Sequence, residues 1–172
     1  MDIKYRVPES DEIEMVSEQI MISYSSAYNG LMDKEYLASL KADHWIPILQ
    51  ESMLKGDTCL IVEYGEKIIG STVFSVSHEE KDTYAEWHAF YLLPRYIGLG
   101  IGHEFFEKIE KEMLKQGCKF CILEVLSNNN RAIQFYLSHG FTKTESFIIQ
   151  ENGMILSCDK MSKSFGYGVL PA

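Results

Sequence analysis

Hydrophobic and polar positions alternate in several short segments, and this pattern predicts β-strands separated by turns. Thr58–Tyr64 and Ile68–Val76 are rich in β-branched residues and flank a short polar turn, as expected for a β-hairpin. Thr144–Gln150 and Met154–Lys160 flank a second turn of this kind. A first strand is predicted over Ile3–Val7. Together these segments predict a substantial β-sheet.

The segment between the first strand and the first hairpin shows helical periodicity instead. One helical face carries apolar or aromatic side chains at spacings of three and four: Ile13, Val16, Ile20 and Tyr24. Ser10 is placed to cap this helix, and acidic residues follow it in the first turn. Two further helical segments are predicted over Asp33–Leu40 and Asp43–Lys55.

The central stretch begins with an apolar run, Ala85–Pro94, in which Glu86 and His88 are the only polar residues. A polar break, His78–Asp82, precedes this run. The run leads into a loop with glycine at alternate positions, Gly98–Gly102, which opens an amphipathic helix. Glycine lets the backbone approach a ligand closely, and the first amides of a helix have no partner within it. Together with the helix dipole, these amides suit a phosphate group.

A second strand and helix follow the glycine loop. Phe120–Leu126 predicts a strand, and a helix opens at Asn128 or Asn129. The chain then reads N-x-x-A-x-x-F-Y from Asn129 to Tyr136, and a Gly-Phe pair follows at Gly140. Because helix geometry places positions seven residues apart on one face, Asn129 and Tyr136 can border the same ligand.

The glycine loop, the N-x-x-A-x-x-F-Y segment and the Gly-Phe pair occur together in order and at matching spacing. On these residues the chain resembles the GNAT superfamily of acyl-CoA-dependent N-acetyltransferases. The resemblance implies a single α/β domain with a mixed, twisted sheet of about six or seven strands flanked by helices. It also implies acetyl-CoA as co-substrate and direct acetyl transfer, in a ternary complex, to a primary amine of a small molecule or protein. It implies no metal.

The resemblance also assigns roles to single residues. Cofactor binding falls on the end of the central strand, the glycine loop and the start of the second helix: Leu92, Ile97, Gly98, Leu99, Gly100, Ile101, Gly102 and Asn129. Tyr136 matches the tyrosine that protonates the leaving thiolate. A phenol with an ordinary pKa of about 10 is neutral at pH 7 and can donate. Without the resemblance, Tyr136 would be read first as a packed core aromatic.

Two residues of the central strand are candidates for the general base. Strand alternation places Glu86 and His88 on one face. Glu86 lies six residues before Leu92, where histone-modifying members of the family carry a glutamate base. Because a carboxylate is a weak base toward an ammonium group, we expect Glu86 to act through water or to hold the amine. His88 is the alternative, and geometry must decide between them.

The loop departs from the family pattern, R/Q-x-x-G-x-G/A, at its first position. When the last two glycines are aligned to Gly100 and Gly102, Ile97 stands where Arg or Gln is expected. A register that begins at Arg95 restores the arginine, although Pro94 and the distance to the helix favour the first alignment. The Ile97 alignment removes one pyrophosphate contact and leaves the binding to backbone amides.

Two other functions fit parts of the pattern. A non-catalytic acyl-CoA-binding module is suggested by Ile97 and by the unassigned base. A dinucleotide-binding enzyme is suggested by the strand, glycine loop, helix, strand and Glu124. The G-x-G-x-x-G pattern, however, would require glycine where the chain has His103, and it does not explain the segment from Asn129 to Tyr136.

Composition narrows the function classes. The 172 residues, 46% of them hydrophobic, fit one domain over 1–172 with a loosely held tail over 164–172. The net charge of −9 argues against nucleic acid as a partner and is compatible with a cationic amine substrate. No apolar run approaches the length of a membrane helix and the N-terminus lacks a signal-peptide pattern, so we expect a cytoplasmic protein without a membrane partner.

The cysteines do not predict a metal site. Cys118 and Cys121 form a lone C-x-x-C pair without a second pair or suitably spaced histidines, which argues against zinc. We expect the cysteines to be reduced residues of half-buried strands. The sequence leaves the oligomeric state open, a homodimer included.

Overall fold

A computed structural model describes residues 2–166 of the chain. Its strands, in chain order, are β1 (Ile3–Arg6), β2 (Thr58–Tyr64), β3 (Lys67–Glu79), β4 (Asp82–Leu92), β5 (Phe120–Leu126), β6 (Thr142–Glu151) and β7 (Met154–Ser164). Its helices are α1 (Ile13–Ala27), α2 (Lys34–Ser39), α3 (Ile46–Leu54), α4 (Ile101–Lys115) and α5 (Asn130–Ser138). Short 3₁₀ turns cover Ser10–Glu12 and Pro94–Tyr96.

The strands form one open, twisted sheet of seven strands in the order β1-β2-β3-β4-β5-β7-β6. Strand β4 pairs in parallel with β5, whereas the pairs β1–β2, β2–β3, β5–β7 and β6–β7 are antiparallel. The predicted mixed α/β sheet of about six or seven strands is thus confirmed. Strands β2 and β5 have the predicted bounds, and both predicted hairpins, β2–β3 and β6–β7, are present.

The polar break predicted over 78–82 is present but shorter than predicted, and covers only residues 80 and 81. Strand β3 continues through His78 to Glu79, and β4 already begins at Asp82. Only a tight turn remains, in which Glu80 has a positive φ of 52°. The Nδ1 atom of His78 lies 2.8 Å from the Oγ1 atom of Thr83. Cross-strand pairing of this kind lets polar side chains occupy exposed strand ends.

The cap predicted at Ser10 is wrong. Ser10 lies inside the 3₁₀ turn, and the residue that precedes the turn is Glu9. The Glu9 amide donates to the Glu12 carboxylate at 2.7 Å, and the guanidinium of Arg6 holds that carboxylate through two further hydrogen bonds of 2.7 and 2.8 Å. Arg6, on the preceding strand, therefore helps to determine how the chain enters α1.

The chain divides into two compact units. Each unit contains part of strand β3, part of strand β4 and part of helix α4. The first unit contains the residues up to Ser75 together with His88–Glu110. Its core lies between α1, α3, β2 and β3 and is formed by buried residues: Ile13, Val16, Ile20, Leu49, Cys59, Ile61, Ile68 and Val73. The predicted apolar face of α1 is therefore the face that packs on the sheet.

The second unit contains Val76–Trp87 and the chain from Lys111 onward. Strand β5 lies between the β4 segment Tyr84–Trp87 and β7, and β6 pairs only with β7 within the described residues. Helix α5 follows β5 directly. This order places the chain segment with the N-x-x-A-x-x-F-Y pattern at the end of a buried strand.

Part of the predicted loose tail lies within the described residues. Ser164 ends β7, and the Phe165 amide donates to the Lys119 carbonyl at 2.8 Å. Residues 167–172 lie outside the described part, so the prediction for them stays a prediction. Within residues 2–166, none of the helices combines the length and hydropathy needed to span a membrane. The same residues contain no group of three or more His, Cys, Asp or Glu side chains arranged to hold a metal ion.

Candidate active site

The first unit carries the glycine loop. Strand β4 ends at Leu92, and the amide of Leu93 donates to the carbonyl of Ile69 on β3 at 2.8 Å. A 3₁₀ turn follows, and the Ile97 amide donates to the Pro94 carbonyl at 3.2 Å. The turn redirects the chain so that the glycines come immediately before α4.

The loop glycines adopt a backbone conformation that other residues avoid. Gly98 has φ +84° and Gly100 has φ +86°, and a Cβ atom added at either position would meet no other atom within 4 Å. The space beside both residues is therefore open, and the requirement for glycine comes from the backbone angle. Helix α4 begins at Ile101, and the Glu104 amide donates to the Gly100 carbonyl at 3.2 Å. The amides of the first turn have no acceptor within the helix and can bind an anion.

The side chains of the predicted loop residues differ in exposure. Ile101 is buried, at 4% exposure, so only its backbone can serve a ligand. Ile97 and Leu99 are 38% and 56% exposed. Arg95 is exposed, and its guanidinium carbon lies 5.8 Å from the centre of the Tyr96 ring. A positive charge is thus close in sequence to the loop, but it stands in the 3₁₀ turn.

Gly70 supports Leu92 and was missed by sequence reasoning. A Cβ atom at Gly70 would lie 2.5 Å from the Cδ2 atom of Leu92 and 3.1 Å from the Tyr91 carbonyl. The β2–β3 register shifts between Val62 and Glu63, immediately beside this glycine. A glycine inside a β-branched strand is the available sequence signal, because it marks a bulge or a close approach.

The second unit carries Asn129, which caps α5. Its Oδ1 atom accepts from the Ala132 amide at 3.3 Å, and its own amide donates to the Leu126 carbonyl at 2.9 Å. Of the two predicted starting residues, Asn129 is therefore the cap. This structural role accompanies the cofactor role, which stays a prediction.

Tyr136 is half-buried among aromatic rings. Its ring centre lies 5.5 Å from that of Trp87 and 5.6 Å from that of Phe141, both edge-to-face. The Phe141 amide donates to the Tyr136 carbonyl at 3.0 Å. The Gly-Phe pair of the motif therefore fixes the C-terminal end of α5 and the orientation of the Tyr136 ring.

The two candidate bases occupy different environments. Glu86 is partly buried and lies opposite Ile122 of β5 in the parallel pair. His88 is exposed, and its Nε2 atom lies 2.7 Å from the Oγ atom of Ser75. Burial raises the pKa of Tyr84, and the carboxylates of Glu79 and Glu86 raise it further. The Tyr84 phenol therefore stays neutral beside Glu86 near pH 7.

The predicted residues form two sets. Leu92 and Ile97–Gly102 belong to the first unit, and Glu86, Asn129 and Tyr136 belong to the second. Within the second unit, Trp87, the chain neighbour of Glu86, packs against Tyr136. The first set thus contains the glycine loop, and the second contains the phenol of Tyr136, a group that can donate a proton.

Residues 19–141 match the acetyltransferase (GNAT) family. The chain belongs to this family. The chain is 29% identical over 136 residues to the thialysine N-epsilon-acetyltransferase of Mus musculus, covering 78% of this chain and 74% of the relative. An uncharacterized N-acetyltransferase of Archaeoglobus fulgidus is 27% identical over 128 residues, covering 72% of this chain and 84% of that protein.

Solved GNAT structures share the fold. The PaiA N-acetyltransferase of Thermoplasma acidophilum, in complex with coenzyme A, has a TM-score of 0.77 at 23% identity and covers 96% of this chain and 100% of its own. YncA of Salmonella typhimurium, with its cofactor acetyl-CoA, has a TM-score of 0.71 at 18% identity, with coverages of 99% and 98%. The chain is therefore an acetyltransferase with acetyl-CoA as its co-substrate, which confirms the resemblance. The dinucleotide alternative does not match this family.

Proposed function

We propose that this GNAT acetyltransferase transfers the acetyl group directly from acetyl-CoA to a primary amine, in a ternary complex. The observation that carries the proposal is the pair of left-handed glycines, Gly98 and Gly100, immediately before α4. This geometry exposes backbone amides at the positive end of a helix, where a pyrophosphate is stabilised. The side-chain space beside both glycines is open for a bulky ligand.

In this proposal the cofactor contacts are mostly made by the backbone. The segment Ile97–Gly102 binds the pyrophosphate, and the backbone of Leu92 binds the thioester arm. The close packing of Gly70 against Leu92 supports this role, because it holds the end of β4 in one position. Asn129 contributes from the start of α5, where it already acts as the cap.

The transfer step uses a neutral amine and a proton donor. The neutral amine nitrogen attacks the thioester carbonyl carbon, a carbon–nitrogen bond forms, and the carbon–sulfur bond breaks. The nitrogen releases its surplus proton to water, and the thiolate takes a proton to become free CoA thiol. Tyr136 donates that proton, which its edge-to-face packing on Trp87 and Phe141 supports by orienting the ring. Glu86 accepts the proton of the ammonium group through water.

A second candidate for the base is His88. Its Nε2 atom contacts the Ser75 hydroxyl at 2.7 Å, which orients the imidazole ring and leaves Nδ1 outside this contact. A histidine has the better-matched basicity at neutral pH. Comparison of Glu86→Gln with His88→Gln, by the pH dependence of kcat/KM, distinguishes the two bases.

The acceptor we propose is a lysine-like primary amine, carried by a small molecule or by a protein. The name of the Mus musculus relative specifies the ε-nitrogen of thialysine, a lysine analogue. The net charge of −9 is compatible with a cationic acceptor. The test therefore includes both free amines and lysine side chains in peptides.

The decisive experiment measures CoA thiol release from acetyl-CoA over a panel of thialysine, lysine, short diamines and lysine-containing peptides. We expect release above the hydrolysis background for at least one lysine-like amine, together with an acetylated product by mass spectrometry. If the protein binds CoA tightly but acetylates none of the amines, the proposal is overturned in favour of the non-catalytic acyl-CoA-binding module.

We also propose that residues 1–172 act as a single domain in the cytoplasm. All four cysteines, Cys59, Cys118, Cys121 and Cys158, are buried free thiols. Free thiols are typical of proteins in reducing compartments.

A further inference from the structure

A buried carboxylate outside the candidate catalytic residues connects three parts of the second unit. Asp159 lies on β7 and is 6% exposed. Its Oδ1 atom accepts hydrogen bonds from the hydroxyls of Ser127 and Ser146, at 2.8 and 2.7 Å. The Nζ atom of Lys143 lies 3.4 Å from the same oxygen. Because a buried carboxylate is costly unless it is paired, the three donors explain why it is tolerated.

These donors keep Asp159 ionised. The hydroxyls of Ser146 and Ser127 hold the pKa of Asp159 below its ordinary value and, with a smaller contribution from Lys143, outweigh the opposing effect of burial. An ionised carboxylate can only accept hydrogen bonds. Both serine hydroxyls must therefore point toward Asp159, which fixes their rotamers.

One of the two serines belongs to the turn that leads into α5. Ser127 directly follows β5 and precedes the cap residue Asn129 by two positions. The Ser127 amide also donates to the Ser157 carbonyl of β7 at 2.9 Å. The Asn129 amide donates to the Leu126 carbonyl at 2.9 Å. The β5–α5 turn is thus held to β7 by a backbone bond and by the Asp159 carboxylate.

We infer that Asp159 is a positioning residue for the acetyl-CoA site, acting through Ser127 on the turn that presents Asn129 and the start of α5. The inference rests on the proposed role of Asn129 and α5 in cofactor binding and transfer. Asp159 makes no contact with the reacting groups in this scheme. It holds the turn in one arrangement, as supporting hydrogen bonds do for binding residues in general.

Ser146 provides a matched control. Ser127 and Ser146 each donate one hydroxyl bond to the same oxygen at nearly the same distance, but Ser146 lies in the middle of β6 and not in the turn. Removal of either hydroxyl costs Asp159 one donor. Only the Ser127 change loosens the β5–α5 turn. The turn keeps its backbone bond to Ser157 but loses the hydroxyl contacts of Ser127 with Asp159 and with the Ser157 hydroxyl, 3.1 Å away.

The test compares Ser127→Ala with Ser146→Ala by CoA calorimetry, steady-state kinetics and thermal unfolding. We expect Ser127→Ala to weaken CoA binding and to raise the KM for acetyl-CoA by about 3- to 10-fold. This change corresponds to part of the free energy that a charge-assisted hydrogen bond contributes. Ser146→Ala should leave both constants within about twofold. The KM for the amine should change little in either variant. Ser127→Thr, which keeps the hydroxyl, should restore CoA affinity.

The outcomes separate this inference from the proposed function. If the wild-type protein fails to bind CoA, the proposed function is wrong and the inference falls with it. If the wild-type protein binds CoA and Ser127→Ala binds it equally well, only the inference is overturned. Equal losses in both alanine variants would reduce Asp159 to a stabilising residue of the β6–β7 hairpin. Should Ser127→Ala fail to fold, Asp159→Asn takes its place, and an unchanged CoA affinity in that variant contradicts the inference.

Discussion

At the scale of single residues, the proton donor is the sharpest prediction. Tyr136→Phe keeps the ring that packs on Trp87 and Phe141 and removes only the hydroxyl. We expect kcat to fall by about 10²-fold or more, with CoA affinity nearly unchanged, because general acid catalysis is lost while packing is kept. Tyr64→Phe is the control, since it removes a hydroxyl from a ring that is 38% exposed. Equal rates for Tyr136→Phe and wild type would return Tyr136 to a packing role.

The residue before the glycine loop gives a second prediction at this scale. Ile97 is 38% exposed, so an arginine can be accommodated there, and Ile97→Arg should tighten CoA binding by about two- to tenfold through charge-assisted hydrogen bonds. Because dissolved salt screens charges, the gain in CoA affinity should be larger at low salt. Calorimetry at two ionic strengths measures both effects. If Arg95→Ala weakens CoA binding while Ile97→Arg has no effect, the alternative register is the correct one.

At the scale of one element, helix α4 has a left-handed glycine at each end and allows an internal comparison. Gly100 has φ +86° and Gly117 has φ +84°, and the space for a Cβ atom is open at both. Beyond the helix end, the Gly117 amide donates to the Leu114 carbonyl and the Cys118 amide to the Met113 carbonyl, at 3.0 and 3.1 Å, the pattern of a Schellman motif.

Gly100→Ala and Gly117→Ala should therefore lose similar stability, about 1 kcal/mol each, from the same backbone strain. Only Gly100→Ala should reduce CoA affinity, by at least about tenfold, because only that end of α4 approaches the pyrophosphate. Thermal unfolding and CoA calorimetry on both variants are the measurements. A parallel loss of CoA affinity in Gly117→Ala would mean that strain alone, and not ligand approach, explains the result.

At the scale of the whole molecule, the free energy of unfolding should depend on pH through the ion pairs that Arg6 forms, here called the Arg6 network. Arg6 donates to the carboxylates of Glu12 and Glu63, at 2.7 and 2.6 Å, and so joins β1, the 3₁₀ turn and β2. The hydrogen bonds from Arg6, and after them the one from the Glu9 amide, lower the pKa of Glu12 from 4.5 to about 2. A lowered pKa means that the stabilisation is complete above pH 4.5 and is lost as the pH falls from 4.5 to about 2.

The variant Arg6→Met should lower the Tm by about 2–4 °C at pH 7, as expected for a loss of about 1 kcal/mol in a chain of this size. The difference in Tm from wild type should shrink as the pH falls toward 2, because Glu12 of the wild type begins to take up its proton there and its bonds to Arg6 weaken. Lys55→Met removes an exposed i,i+4 pair with Glu51 and should change Tm by less than about 1 °C at any pH. A constant difference between Arg6→Met and wild type across this range would rule out the network as the cause.

The elements that the sequence predicted correctly are those encoded by local pattern. The bounds of β2 and β5 followed from β-branched runs that end at turn residues, and Asn129 was among the two predicted starts of α5. Of the predicted loop glycines, Gly98 and Gly100 have the unusual backbone that their spacing suggested, whereas Gly102 already lies in α4. The predicted polar break extended too far, to His78 and Asp82, which belong to β3 and β4. Their polar side chains suggested a loop, because the sequence pattern does not show which strands pair.

By itself, the sequence determined the motifs that identify the family, the glycine loop and the start of α5. Each of these depends on residues within a few positions of one another. The tertiary structure decided what supports them. Gly70 leaves room for the side chain of Leu92, which lies on another strand. Ser127 is held by Asp159, 32 residues away along the chain. Steric fit and hydrogen bonding depend on distance in space, so partners that are remote in sequence are identified only once the strands are paired.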